Sequence, residues 1–184
     1  MARRGRNAAA DAVSAILWLP GWPGVYLPAS LAIANALRRR GARGVPLPVA
    51  AALLGWASHH GVKLFLERTR PPTMQGRHNE LQAFPSGHTT PVTSIALVTA
   101  FACARSGLVP AGAGAAAAAG TAAAVGLARV YRDAHWLTDV VGGWLLGGVV
   151  AGALALAHEG VAERGARRGG DAAQRPRARP GRMR

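Results

Sequence analysis

Long apolar runs alternate with short basic segments along the 184 residues of the chain. Four runs of about 18–23 residues contain no Asp, Glu, Lys or Arg; they cover residues 45–62, 86–104, 106–128 and 140–158. At a rise of about 1.5 Å per residue, helices of this length cross a hydrocarbon core of about 30 Å. Helices buried in a soluble bundle would carry a polar stripe, which these runs lack. The pattern therefore predicts an all-α, polytopic transmembrane bundle with four spans.

A fifth apolar segment, residues 12–37, is interrupted by prolines and glycines. Because proline has no backbone N–H and clashes with the preceding turn, Pro20, Pro23 and Pro28, together with Gly21 and Gly24, are expected to break a helix here. The piece after the break, residues 24–37, is too short to cross a membrane alone. The segment predicts either a kinked transmembrane helix or a helix lying in the membrane interface.

Basic residues lie between and beyond the apolar runs. Lys and Arg number 22 against 8 Asp and Glu, for a formal net charge of +14, although 50% of the residues are hydrophobic. This hydrophobic content excludes a disordered basic protein, and the single cysteine excludes a disulfide scaffold. We divide the chain into a basic N-terminal segment (1–11), a membrane-embedded domain (12–158) and a basic disordered tail (159–184). Next to a span, this tail is expected to bind anionic headgroups rather than nucleic acid.

Glycines recur at four-residue spacing in the last apolar run. Gly143 and Gly147 form one pair, and Gly148 and Gly152 form another. Small residues at this spacing let helix backbones approach closely inside lipid. We therefore expect this run to pack tightly against a neighbouring helix.

Polar residues near membrane depth are costly, which makes them candidates for function. They fall into three groups, which are Lys63 with Arg70-Pro71, then Pro85-Ser86-Gly87-His88, then Arg129 with His135 and Asp139. The first two groups share one interhelical loop. The chain then crosses the membrane twice before it reaches the third group. Alternation of spans alone therefore places all three groups on one side.

The residue types on this side predict a site for phosphate or a similar anion. Lys63, Arg70 and Arg129 supply cations, and guanidinium groups match phosphate oxygens. The hydroxyl of Ser86 and the N–H groups of Gly87 and His88, at a helix N-terminus, add donors. Carboxylates are scarce, and no His/Cys or Asp/Glu spacing supplies metal ligands. We therefore expect neither a metal nor another cofactor.

Two histidines provide reactive groups for such a site. His135 and Asp139 are four residues apart at the start of a helix, so they share one face. A carboxylate bonded to one ring nitrogen leaves the other nitrogen free to attack a phosphoryl group. His88, on another helix, can donate a proton to the leaving oxygen.

These three groups resemble the signature motifs of the type 2 phosphatidic acid phosphatase superfamily. Lys-x6-Arg-Pro, Pro-Ser-Gly-His and Arg-x5-His-x3-Asp occur in the same order and spacing, over roughly residues 45–158. The resemblance implies a metal-independent hydrolase for lipid phosphates or diphosphates, built as a helical bundle. It also implies His135 as nucleophile, Asp139 as its orienting partner and His88 as general acid. The residues implied to hold the phosphoryl oxygens are Lys63, Arg70, Ser86, Gly87 and Arg129.

The chain departs from the family pattern in two respects. Ala128 precedes Arg129 where the family has Ser, which removes one hydroxyl contact to phosphate. A hydrogen bond to a charged group is worth about 1.5–3 kcal/mol, so phosphate binding would be weaker. Family members commonly have six spans, whereas four are predicted here.

Three functions are compatible with such a site. The leading one is an integral-membrane phosphatase that forms a phosphohistidine intermediate. A vanadate-dependent haloperoxidase uses a similar anion site, but the apolar spans disfavour it. A non-catalytic protein that binds a phospholipid headgroup is the third, and the presence of both histidines disfavours it. The sequence does not discriminate among phosphatidic acid, phosphatidylglycerophosphate, polyprenyl diphosphate and a phosphorylated polyprenyl sugar, and it leaves the oligomeric state open.

The distribution of arginines predicts the orientation of the protein in the cell membrane. Residues 38–43, Arg105 and the eight arginines of residues 164–184 lie on the side opposite the predicted site. The positive-inside rule makes that side cytoplasmic, so the site faces the exoplasmic side. The three N-terminal arginines disagree with this orientation if residues 12–37 span the membrane.

Overall fold

Each of the four charge-free runs forms an α-helix in the computed structural model, which describes residues 7–76 and 80–174. The helices, in chain order, are α1 (Ala8–Ile16), α2 (Pro23–Arg39), α3 (Leu47–Lys63), α4 (Thr89–Arg105), α5 (Ala111–Tyr131) and α6 (Leu137–Gln174). Two 3₁₀ turns, Leu19–Gly21 and Pro72–Met74, lie between them. The described residues contain no β-strand, and the pairing of Arg68 with Gln82 is an isolated bridge. The predicted all-α class is confirmed.

Fewer than four helices in the described residues meet the length and composition expected of a membrane span. By length and composition, two helices in the described residues qualify, namely α5 and the Leu137–Arg167 part of α6. Helices α1 and α2 qualify only as a pair, bent by 67°, which would make a third span. Helices α3 and α4 have 17 residues each, which is short for a span. The count of four spans is therefore not confirmed.

The N-terminal segment is kinked around Pro20 and Pro23, as predicted, whereas Pro28 lies inside α2 and does not break it. Helix α1 ends at Ile16, and α2 begins at Pro23, whose missing N–H costs nothing at the first position of a helix. The Leu19–Gly21 turn between them contains Pro20. The 67° bend therefore follows from local sequence, and it turns residues 18–22 toward the loop ends of α3 and α4.

Helix α4 lies at the centre of the bundle and packs against α3, α5 and α6. The core is formed by small and medium apolar side chains, including Ala51, Ile95 and Val98. Large apolar side chains of α6 point outward instead, and Leu145, Val149 and Leu156 are 68%, 68% and 76% exposed. An apolar outer surface on an apolar helix is typical of a protein that faces lipid.

One of the two glycine pairs makes the close helix contact that its spacing predicts. A Cβ atom at Gly147 would lie 2.7 Å from the carbonyl oxygen of Thr90, and one at Gly143 would lie 2.9 Å from Cβ of Thr89. The α6 backbone therefore rests directly on α4 near the start of both helices. Gly148 and Gly152 have no atom within 4 Å of a Cβ position, so the second pair makes no such contact.

Helix α6 continues beyond the predicted end of the membrane-embedded domain. Residues 159–174 are helical, where the sequence predicted a disordered tail. Glu159 pairs with Arg105 of α4 at 2.7 Å, and the Ala, Glu and Arg residues that follow favour helix. Helix α1 likewise begins inside the predicted basic segment, at Ala8. The remainder of both predicted basic segments, residues 1–6 and 175–184, lies outside the described residues.

The glycine contact predicts a stability difference between two neighbouring positions. Gly147→Ala should lower the free energy of unfolding by about 1–3 kcal/mol, because its methyl group would overlap Thr90. Gly148→Ala, in the same helix turn but facing open space, should be neutral or stabilising by up to about 1 kcal/mol. Denaturant unfolding in detergent measures both. Equal effects of the two substitutions would contradict the assigned contact.

Candidate active site

The three polar groups of the sequence meet around one cavity of about 460 Å³, called here the site cavity. Six of the eight predicted site residues line it, namely Lys63, Arg70, Gly87, His88, Arg129 and His135. Ser86 and Asp139 are fully buried behind this wall. Segments up to about 70 residues apart in sequence therefore meet at one end of the bundle, as the alternation of spans predicts.

His135 presents one ring nitrogen to a carboxylate and the other to the site cavity. Its Nδ1 lies 3.4 Å from Oδ2 of Asp139, and its Nε2 lies 3.2 Å from Nη1 of Arg70. Because a guanidinium group can only donate, Nε2 must carry the lone pair and Nδ1 the proton. This tautomer leaves the lone pair of Nε2 on the cavity side.

Asp139 is held by several groups at once. Its Oδ2 accepts a hydrogen bond from the backbone N–H of Trp136 at 2.9 Å, and its Oδ1 forms an ion pair with Arg68 at 3.2 Å. Its backbone oxygen accepts from the N–H of Ser86 at 3.0 Å. Burying a carboxylate is costly unless it is compensated, and these contacts provide the compensation.

The sequence analysis missed Arg68, although a signal for it exists. Arg68 and Arg70 are two residues apart in an extended segment, where the N–H groups of both donate to the facing residues Leu81 and Glu80. Side chains two apart in extended backbone point to the same side. The position of Arg68, two residues before Arg70, therefore indicates that its side chain also points toward the site.

The cations Lys63 and Arg70 are held by backbone carbonyl groups. Arg70 donates to the carbonyl oxygen of Ala134 at 2.9 Å and to that of Gln82 at 3.3 Å. Lys63 donates to the same Gln82 oxygen. Neutral acceptors orient the two side chains without cancelling their charge, so the site cavity stays electropositive.

Arg129 is fully buried, and its guanidinium group is held in a different way. Its three guanidinium nitrogens have no hydrogen-bond partner in the described part of the chain. Its Cζ lies 3.7 Å from the ring centroid of Trp18, which is a cation–π contact. Trp18 belongs to the N-terminal segment and was not predicted as a site residue, because nothing in its own surroundings in the sequence marks it.

The Pro-Ser-Gly-His group forms the entry to α4. Ser86 accepts a hydrogen bond from Oγ1 of Thr89 at 2.9 Å, so its hydroxyl lies behind the cavity wall, and its role in binding phosphate stays a prediction. A Cβ atom at Gly87 would lie 2.8 Å from Nε2 of His59, so a residue with a side chain does not fit here unless His59 moves. His88 lies at the helix N-cap, and its Nε2 is buried.

Burial and charge keep the His135 imidazole neutral. Loss of hydration lowers the pKa of His135 to about 4, the hydrogen bond to Asp139 opposes the shift, and the positive charge of Arg70 reinforces it. Burial also lowers the pKa of Arg70. In the described residues, no group of three or more His, Cys, Asp or Glu side chains is placed to hold a metal ion.

Comparisons with known proteins find one matching family model and one similar fold. Residues 43–161 match the family model described as the PAP2 superfamily. The fold is similar to the crystal structure described as the first transmembrane PAP2 type phosphatidylglycerolphosphate phosphatase from Bacillus subtilis. The match has a TM-score of 0.72 and 23% sequence identity, and it covers 87% of this chain and 80% of that chain. No curated protein matches the chain.

The lowered pKa of His135 predicts how stability depends on pH. Between about pH 6.5 and pH 4, the unfolded chain binds a proton at this position that the folded chain does not bind. The contribution of this group to the free energy of unfolding is therefore most favourable above pH 6.5. It falls by about 3 kcal/mol as the pH is lowered to 4. The non-titrating variant His135→Gln should lose less stability than the wild type between pH 7.5 and 4.5.

Thermal unfolding midpoints of the two proteins at both pH values provide the measurement. Groups that do not interact with position 135 titrate alike in both proteins, so the difference between the two pH responses reports on His135 and its immediate neighbours. Parallel losses of stability would show that folding does not lower the pKa of this residue.

Proposed function

The chain belongs to the PAP2 superfamily, and on this basis we propose that it is an integral-membrane, metal-independent phosphatase that hydrolyses a lipid phosphate or a polyprenyl phosphate or diphosphate. The observation that carries the proposal is the position of His135. Its Nε2, which accepts from Arg70, faces a cavity lined by Lys63, Arg70 and Arg129, while Asp139 lies next to the other nitrogen. A nucleophile among three cations is suited to a dianionic phosphate ester.

The first step would transfer the phosphoryl group to His135. Arg70 exchanges its contact with Nε2 for a phosphate oxygen, and Nε2 then attacks phosphorus. The N–P bond forms as the P–O bond to the lipid breaks, and His88 gives its proton to the leaving oxygen. Asp139 stabilises the positive charge that develops on the imidazole.

The second step would return the enzyme to its starting state. Water attacks the phosphorus of the phosphohistidine, and His88, now unprotonated, accepts a proton from this water. The N–P bond breaks, inorganic phosphate leaves, and both histidines regain their initial protonation. No electron transfer is involved, and water is the only co-reactant.

The surroundings of the site cavity support a lipid substrate. A second cavity, of about 520 Å³, lies between α2, α4 and α5 and is lined almost entirely by apolar side chains, among them Ile33, Ile95 and Val109. Tyr26 lines both cavities, so the two lie side by side, and we infer that a lipid whose phosphate lies near His135 would extend its hydrocarbon chain toward the second one. This arrangement suits an acyl or prenyl chain equally.

The charge distribution supports a multi-pass protein, with four spans and the kinked N-terminal segment, whose site faces the exoplasmic side. At the end opposite the site, the N–H of Arg43 donates to Ser106 at 2.8 Å and Arg105 pairs with Glu159. Residues 38–43, the end of α4 and the part of α6 around Glu159 are therefore together at one end. By the positive-inside rule this end is cytoplasmic, and the tail would contact anionic headgroups there.

Single-cysteine labelling tests this orientation. In a Cys103→Ala background, Gln75→Cys at the site end should react with a membrane-impermeant maleimide in intact cells. Arg40→Cys, equally exposed at the other end, should react only after lysis. Labelling of Arg40→Cys in intact cells, with Gln75→Cys protected, would reverse the proposed orientation.

Release of inorganic phosphate from a panel of lipid phosphates, in the presence of EDTA, tests the function and separates it from haloperoxidase activity and from headgroup binding alone. His135→Ala should abolish turnover on every substrate. His88→Ala should lose about 10²–10⁴-fold on a monophosphate and less on a diphosphate, whose leaving phosphate needs less protonation. Asp139→Asn should lower the rate with little effect on substrate binding.

His158→Ala is the matched control, because this histidine lies in α6 against Phe101, away from the site cavity. Rapid-quench labelling with a ³²P substrate should place the label on His135. Label on His88 would reverse the two roles, and loss of activity in EDTA that a divalent ion restores would contradict metal independence.

A further inference from the structure

One wall of the site cavity comes from outside the family match. Trp18, Gly21 and Trp22 line the cavity, yet the residues that match the family model begin at residue 43. These three residues lie at the 67° break between α1 and α2. The break that prolines impose on the N-terminal segment therefore brings backbone and aromatic side chains against the phosphate-binding residues.

The Trp18 ring contacts two residues of the proposed machinery at once. The guanidinium carbon of Arg129 lies 3.7 Å from one ring centroid, over the face of the indole. The His88 ring lies 5.2 Å away in an edge-to-face arrangement, at an interplanar angle of 63°. Trp18 is therefore placed between the buried cation and the proposed general acid.

The stacking of Arg129 on Trp18 has a particular chemical consequence. A carboxylate partner would occupy the N–H groups of the guanidinium and cancel its charge. An aromatic face holds the plane of the guanidinium and leaves the N–H groups at its edges available for phosphate oxygens. The guanidinium nitrogens of Arg129 accordingly have no hydrogen-bond partner in the described residues.

The backbone next to Trp18 restricts His88 from another side. A Cβ atom at Gly21 would lie 2.4 Å from both Cβ and Cδ2 of His88, so glycine is required where the turn meets the ring. The His88 imidazole is thus held between the indole of Trp18 and the backbone of Gly21. A ring held on two sides keeps one orientation toward the leaving group.

We propose that Trp18 is a positioning residue of this site, which holds Arg129 for phosphate binding and His88 for proton donation. The proposal rests on the proposed phosphatase function for its kinetic part. Its binding part does not, because inorganic phosphate and orthovanadate are ligands of the same anion site whether or not the protein turns over a lipid.

The binding arm measures the protection of the protein against thermal unfolding by inorganic phosphate and by orthovanadate. Trp18→Ala should weaken the apparent affinity about 10-fold or more, and Trp18→Phe should restore most of it, because phenylalanine retains a ring face. Leu19→Ala is the matched control, since Leu19 is the next residue in the same segment, is exposed and does not line the site cavity. It should bind like the wild type.

The kinetic arm uses a lipid monophosphate and a diphosphate. Trp18→Ala should lower kcat/KM by about 10–100-fold, with the larger loss on the monophosphate because His88 is no longer oriented. In an Arg129→Gln background, Trp18→Ala should cause a much smaller further loss of phosphate affinity. If Trp18 only supported the fold, Trp18→Ala would lower phosphate affinity equally in the wild type and in Arg129→Gln. It would also lower kcat/KM equally for the monophosphate and the diphosphate.

The outcomes separate the two proposals. If the wild type binds phosphate but hydrolyses no lipid of the panel, the proposed function fails and the binding arm alone decides the role of Trp18. Equal behaviour of Trp18→Ala and Leu19→Ala overturns the role, as does a full additional loss of affinity in the Arg129→Gln background. Unfolding midpoints without ligand show whether each variant is folded.

Discussion

The buried carboxylate of Asp139 is the constraint on which the rest of the site depends. This carboxylate lies next to Nδ1 of His135 and forms an ion pair with Arg68. The backbone oxygen of Asp139 accepts a hydrogen bond from the N–H of Ser86. One residue thereby joins the three segments that carry the chemistry. A buried charge must be compensated by groups close to it. If His135 and Arg68 moved away, the carboxylate would be left buried without a partner, which is costly.

The cations of the site cavity are arranged on a different principle. Lys63 and Arg70 are oriented by neutral carbonyl groups, and Arg129 by an aromatic face, so their charges are positioned but only partly neutralised. Like charges gathered in a poorly hydrated cavity repel one another. A dianion bound among them, as proposed above, would relieve this repulsion.

The sequence predicted the helices and the meeting of the three motifs, because charge-free runs mark helices and alternating crossings determine which ends share a side. It did not predict the contacts made by the loops. Gln82 contributes only a backbone oxygen, and Trp18 reaches the site through a bend whose direction depends on tertiary packing. The sequence did not predict that α6 continues to Gln174, because a composition rich in Gly and Arg is typical of disorder. The ion pair between Glu159 and Arg105 lies where this continuation begins.

The close contact that Gly143 and Gly147 allow between α6 and α4 has a consequence for redesign of the protein. Gly143 and Gly147 set how closely the two helices approach, and these helices begin next to His135 and His88 respectively. The spacing between the helices that follow these two histidines therefore depends on positions that have no side chain and lie outside the lining of the site cavity. A redesign that exchanges only lining residues leaves this spacing unchanged.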